Sequence, residues 1–203
     1  MIHFLMVGIL LGLSAGFAPG PLLTLVISET LAHDIKAGIK VAIAPFITDL
    51  PIILITLFIL SRLSHLNGVL AAISFVGGCV LIYMGIGSMK AGNDTIELSG
   101  KRSNALFKGI LVNVLSPHPY LFWISIGGPT SSKAMHHSLF AFLGFFISFY
   151  FFLVASKVIL AVITGRSRSF LSGNVYKAIM RALGVALCIL AVLLFKEAVV
   201  LIQ

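Results

Sequence analysis

Phe17-Ala18-Pro19-Gly20-Pro21 falls inside an apolar run from Ile2 to about Ser28, and its reading decides the fold. A bilayer crossing takes about 20 apolar residues, so the run is long enough to span. Two prolines within it remove two backbone donors and leave the carbonyls four residues upstream, on Ala15 and Phe17, without helical partners. In lipid such a break persists only where it is buried in protein or lines a wet cavity. The same device returns as Leu115-Ser116-Pro117-His118-Pro119, which releases the carbonyls of Asn113 and Leu115. One broken helix in each half of an apolar chain is the pattern expected around the central site of a membrane transporter.

Composition agrees. Of 203 residues, 59% are hydrophobic and 10% charged, against about 25% charged in soluble domains. No polar stretch exceeds the roughly fifteen residues between Lys90 and Asn104, so residues 1–203 read as a single membrane domain. The net charge of +8 would suggest nucleic acid in a soluble protein; here it reads as loop lysines and arginines facing the cytoplasm, with no nucleic-acid partner. Cys79 and Cys188 both lie in apolar runs and read as small packing residues rather than a disulfide framework. The first segment is too long and too interrupted for a signal peptide and reads as a retained helix.

Six spans follow in order. The first, Ile2 to Ser28, carries Gly8, Gly12, Gly16 and Gly20, a row at spacing four suited to close helix packing. The second, Gly38 to Leu60, is interrupted by Pro45, Asp49 and Pro51, and the third runs Gly68 to Met89. Span four, Ala105 to about Gly128, holds the second break; span five is Leu139 to Ile163 and span six about Ala178 to Ile202. The link 90–104 thus separates a first repeat, about 1–89, from a second, about 105–203. Links one, three and five hold ten basic residues: Lys36, Lys40, Lys90, Lys101, Arg102, Lys108, Arg166, Arg168, Lys177 and Arg181. The other links and the tail hold Arg62, Lys133 and Lys196. This asymmetry places the odd links in the cytoplasm and both termini outside it. With three spans per half, the halves insert in opposite senses. The expected fold is therefore all-α and integral to the membrane, six transmembrane helices as two inverted three-helix repeats with helices one and four broken.

Charges inside the spans carry the chemistry. Asp49 is the twelfth residue of span two, near the midplane, where a lone carboxylate either takes up a proton or finds a cation. A carboxyl placed so can carry a proton in one part of a cycle and bind an ammonium group in another. The structural alternative is an ion pair with Lys157, or a hydrogen bond to backbone loosened by Pro45 and Pro51. Lys157, nineteen residues into span five, either joins the site or snorkels to the cytoplasmic surface. Glu29 reads as a solvated helix-end charge. His118, in the second break, offers a donor and an acceptor when neutral, or is a local structural hydrogen bonder. The series Phe142, Phe145, Phe146, Phe149 and Phe152 reads as packing or lipid contact rather than a ligand cage.

Together the breaks suit a zwitterion. The half-helix beginning at about Leu22 presents free amides and a positive dipole end to a carboxylate. The carbonyls of Ala15, Phe17, Asn113 and Leu115, with Asp49, suit an ammonium group.

At these residues a family resemblance enters. Gly16-Phe17-Ala18-Pro19-Gly20-Pro21, followed by Gly38 and Asp49, resembles the amino-terminal signature of the LysE/RhtB amino-acid exporter family. Gly109-Ile110-Leu111-Val112-Asn113-Val114-Leu115-Ser116-Pro117-His118-Pro119, with Leu121-Phe122-Trp123, resembles that family's span-four motif. Where the family commonly has Asn and Lys around the span-four proline, this chain has Ser116 and His118, and so lacks a fixed positive charge there. The resemblance covers nearly the full length. It implies six membrane helices, homodimers, and export of amino acids or related solutes driven by the proton gradient across the cell (cytoplasmic) membrane. By carry-over, Pro19, Gly20, Pro21, Asp49, Asn113 and Pro117 take the family's core positions; Ser116, His118 and Lys157 complete the candidate substrate and proton site. No cofactor, resident metal or enzymatic chemistry is expected.

Three rivals belong to other classes. A divalent-metal or small-cation exporter of related fold wants several carboxylates, His or Cys side by side, and only Asp49 and His118 offer themselves. A thiol electron carrier needs two cysteines able to meet, and neither break contains one. In a non-transporting assembly subunit Asp49 would be dispensable.

Overall fold

The structure is a computed structural model that describes residues 2–59, 66–91, 104–167 and 173–202. These are helical almost throughout, with no strand among the described residues. Both breaks form. α1 (Ile2–Phe17) ends at the first, and α2 (Pro21–Ala32) leaves it at 60°. Gly20 is extended in front of Pro21, because a proline drives the residue before it out of the helical region. Pro21 then occupies the first helical position, where a missing N–H costs little. In the second break α5 (Ala105–Val114) ends and Ser116 is extended before α6 (Pro117–Phe122). From there the chain passes through a π-helical turn, Trp123–Gly127, into α7 (Gly128–His137), and α5 meets α6–α7 at 54°.

The remaining helices are α3 (Ile35–Ile59), α4 (Leu66–Ala91), α8 (Leu139–Ser167) and α9 (Gly173–Ile202). The expected interruption at Pro45 and Pro51 does not appear, since α3 runs through both. Each is a lone proline that removes one hydrogen bond, and a packed membrane helix absorbs such a loss. The breaks instead pair two prolines two residues apart. Polar caps set other boundaries: Asp34 Oδ1 accepts the Ala37 amide at 2.7 Å and Ser138 Oγ the Ala141 amide at 3.1 Å, as N-caps do. Several helices outrun the expected spans. α2 reaches Ala32 and α8 Ser167, and α9 starts at Gly173.

Three helical stretches, Ile35–Leu54, Leu139–Ser167 and Lys177–Val200, are long and apolar enough to cross a membrane. Counting each bent pair, α1 with α2 and α5 with α6–α7, as one span gives up to five such candidates among the described residues. Arg62 and His65, the link residues Lys101 and Arg102, and Arg168 lie outside the described residues.

The helices run between two ends. At one, the end of α2 meets the start of α5 through Glu29 and Lys108, Gly165 of α8 lies against Ile35 of α3, and Leu31 packs on Met180 of α9. At the other, Phe4 of α1 stacks edge-on against His137 of α7. α1 packs along α8, and α4 along α9, more extensively than any other pair. Gly8, Gly12 and Gly16 make the first contact possible: a Cβ on any of them would collide with α8 around Phe145, Phe149 or Ser156. Gly20, the fourth glycine of the row, stands in open space beyond the break. The row is therefore three packing glycines and one that belongs to the break. Large apolar side chains such as Phe46, Leu54, Phe140, Ile147 and Phe151 face outward.

Candidate functional site

Between the breaks lies a cavity of about 340 Å³, within the range of small-molecule pockets. Eight of the nine residues expected at the site line it: Pro19, Gly20, Pro21, Asp49, Asn113, Ser116, His118 and Lys157. The ninth, Pro117, is buried at the first position of α6 and sets the direction of the chain there. The lining is graded. Ser14, Pro19 and His118 are exposed at the rim, whereas Asp49, Asn113, Ser116 and Lys157 are buried.

Asp49 is held from both sides. Asn113, one residue before the end of α5, donates through Nδ2 to Asp49 Oδ1 at 2.9 Å and to Thr48 Oγ1 at 2.6 Å. The Tyr150 hydroxyl donates to Asp49 Oδ2 at 3.3 Å. The ion pair with Lys157, the structural alternative, is absent: the Lys157 ammonium bonds elsewhere. Nor is Asp49 bonded to the backbone near Pro45 or Pro51: Thr48 Oγ1, not Asp49, donates to the Ala44 carbonyl at 3.0 Å.

Lys157 does not snorkel. It is 4% exposed, and its ammonium donates to the carbonyls of Ala15 at 3.2 Å and Gly16 at 2.9 Å. The last turn of α1 has no following helix to satisfy those carbonyls, and a cation from α8 does so instead. The sequence pointed to Ala15 and Phe17. The ammonium instead takes Ala15 and Gly16, where Gly16 lets α8 come close at Ser156, the residue before Lys157.

The second break is satisfied by neutral groups. The Ser116 amide reaches the Asn113 carbonyl at 3.4 Å, the Tyr120 hydroxyl donates to the Val114 carbonyl at 3.0 Å, and the Leu115 carbonyl abuts Gly77 of α4, where a Cβ would collide with it.

Glu29 is not the solvated charge its position suggested. It is 5% exposed, with Lys108 Nζ at 2.5 Å from Oε1 and His33 Nδ1 at 3.4 Å from Oε2.

Sequence reasoning missed the aromatic wall. Phe122, Trp123 and Phe149 line the cavity. Trp123 is 2% exposed and stacks on Phe146, with ring centroids 5.5 Å apart. Gly127 leaves room for its ring within the π turn, a distortion that gathers at functional sites. Phe149 belongs to the wall, while Phe145 is buried in the aromatic cluster behind it. The one signal available was Trp123 itself, the sole tryptophan, four residues before a glycine pair. Cys79 and Cys188 are free thiols on α4 and α9 and line none of the cavities described. No group of three or more His, Cys, Asp or Glu able to hold a metal occurs among the described residues.

The arrangement can therefore receive a small solute between a buried carboxylate, a buried ammonium group and the open amino end of α2, against an aromatic wall. No curated protein and no solved structure matches the chain. Residues 13–198 match the LysE type translocator family. With paired proline breaks, multiple apolar helices and a match over nearly the whole length, the chain is a multi-pass membrane protein that belongs to the LysE type translocator family.

Proposed function

We propose that the protein is a secondary exporter of amino acids or related small zwitterions, exchanging them for protons at the cavity between the breaks. Six spans in two inverted repeats of three, with both termini outside the cytoplasm, complete the reading. The observation that carries it is the placement of Asp49, Lys157 and the start of α2 on one cavity. An ammonium group is matched to the Asp49 carboxylate beside Trp123. A carboxylate is matched to Lys157 and to the first-turn amides of α2 at Leu22 and Leu23, which no preceding helical turn satisfies.

Coupling follows from exclusion at a single carboxyl. A proton and a substrate ammonium compete for Asp49, so each state of the cycle carries one of them. The partners of Asp49 suit this division. Asn113 Nδ2 only donates, and keeps Oδ1 an acceptor; the Tyr150 hydroxyl donates to a carboxylate or accepts from a carboxylic acid, so Oδ2 is the oxygen that takes the proton. The metal-exporter alternative has less support, since no group of three or more His, Cys, Asp or Glu able to hold a metal occurs among the described residues.

The test is transport by purified protein in liposomes carrying a pH gradient, offered labelled amino acids and divalent cations. Gradient-dependent movement of an amino acid is expected, lost in folded Asp49→Asn protein. Cation movement, or undiminished export by the variant, would overturn the reading.

A further inference from the structure

Glu29 and Lys108 lie away from the central cavity, yet they join the two broken spans. Glu29 sits in the last turn of α2 and Lys108 in the first turn of α5, so each stands near the free end of a half-helix that begins or ends at a break. At 1.5 Å per residue, Glu29 is about 14 Å from the bend at Gly20 and Lys108 about 10 Å from the bend at Leu115. A contact so far from both bends resists any swing of either half-helix. Its small contribution to stability argues for such a role. Glu29 is buried but the Lys108 side chain is 36% exposed, and a pair so open to solvent contributes little stability, whereas ion pairs can serve to fix one arrangement against another.

The pair also stands where a barrier is needed. Below the central cavity, Leu25 and Val26 of α2, Val41 of α3 and Val112 of α5 form a close-packed layer. Beyond that layer a second cavity of about 440 Å³ begins, walled by Glu29, His33, Lys90 and Lys108. Val112 lines the central cavity from one side of the layer, and the Glu29–Lys108 pair borders the second from the other. α2 and α5 must part for a solute to pass, and parting them separates these two charges.

We propose that the Glu29–Lys108 pair is a latch that closes the central cavity towards the end where α2 finishes and α5 starts. The inference rests on the reading of that cavity as the transport site and adds the residues that keep one of its two exits shut.

The test reads access and needs no transported solute. In protein with Cys79→Ser and Cys188→Ser, Val112→Cys is labelled by a membrane-impermeant methanethiosulfonate, using membrane vesicles of both orientations so that each face is probed. From the α2–α5 face the parent is expected to label slowly. Glu29→Gln and Lys108→Met are each expected to label at least tenfold faster. Lys108→Arg, which keeps the charge, and the exchange of Glu29→Lys with Lys108→Glu are expected to stay within about twofold of the parent. Single variants as slow as the parent, a parent already fast from that face, or both charge-preserving variants as fast as the single ones would each overturn the latch. A wrong substrate class leaves these rates unchanged, and a wrong latch shows even in protein that transports.

Discussion

The two breaks are made by the same sequence device and finished by opposite chemistry. At the first, α8 sends in Lys157, whose ammonium takes the carbonyls of Ala15 and Gly16. At the second, the broken helix itself supplies Asn113, which donates to the carboxylate of Asp49 on α3. In each case a long helix of one half of the chain, α3 or α8, carries the buried group, and in each case that group meets the break in the other half. A cation closes one break and an anion is anchored at the other. The cavity between them thus carries a carboxyl group and an amine with no direct ion pair between them.

If that division is right, Lys157→Met is the most damaging change at either break. It leaves two carbonyls in a buried turn without donors, at about 1–3 kcal/mol for each unsatisfied group. It also removes the positive end of the cavity. We expect a fall in apparent melting temperature in detergent and loss of at least a hundredfold in transport, the equivalent of roughly 2.7 kcal/mol. Transport within tenfold of wild type would show that Lys157 is a structural plug and that only the second break matters to the solute.

Asn113→Ala strikes the other break and should cost less. Asp49 keeps its Tyr150 partner; the lost hydrogen bond to a charged group is worth about 1.5–3 kcal/mol, and the lost one to Thr48, whose hydroxyl keeps the Ala44 carbonyl, about 0.5–1.5 kcal/mol. We expect transport to fall about tenfold while the melting temperature moves less than in Lys157→Met. A larger thermal loss than in Lys157→Met would reverse the order of the two breaks.

How much of this was legible beforehand depends on whether a feature is local. The breaks were, because Pro19, Pro21, Pro117 and Pro119 act on backbone within four residues of themselves. Asp49 stood out because a midspan carboxylate is expensive wherever it points. The Lys157 contact was not legible, since snorkelling and burial differ only in which way α8 is rotated, and the packing of Gly8, Gly12 and Gly16 decides that rotation across some 140 residues of chain. Glu29 was misread for the same reason. Its position at the end of an apolar run suggests water, and its partner Lys108 is 79 residues away. Pro45 and Pro51 show the converse limit: a proline's local cost is legible, but whether a helix tolerates it is set by the neighbours that pack around it.

Tyr150→Phe gives the finest cut, because it alters the anion without touching either break. The hydroxyl stands 3.3 Å from Asp49 Oδ2, and its ring packs edge-on against Phe149, with centroids 5.2 Å apart. Removing the oxygen keeps the packing and deletes one hydrogen bond to the carboxylate, which at 3.3 Å lies at the low end of the range for charged acceptors, about 1.5 kcal/mol. Substrate exchange in the absence of a pH gradient should therefore drop no more than about tenfold. If Oδ2 is the oxygen that takes the proton, gradient-driven export should drop further than exchange does, because the phenol is the one partner of Asp49 able to accept from its acid form. Equal losses in the two assays would assign the proton to Oδ1 or to another group, and would leave Tyr150 as a support for the carboxylate alone.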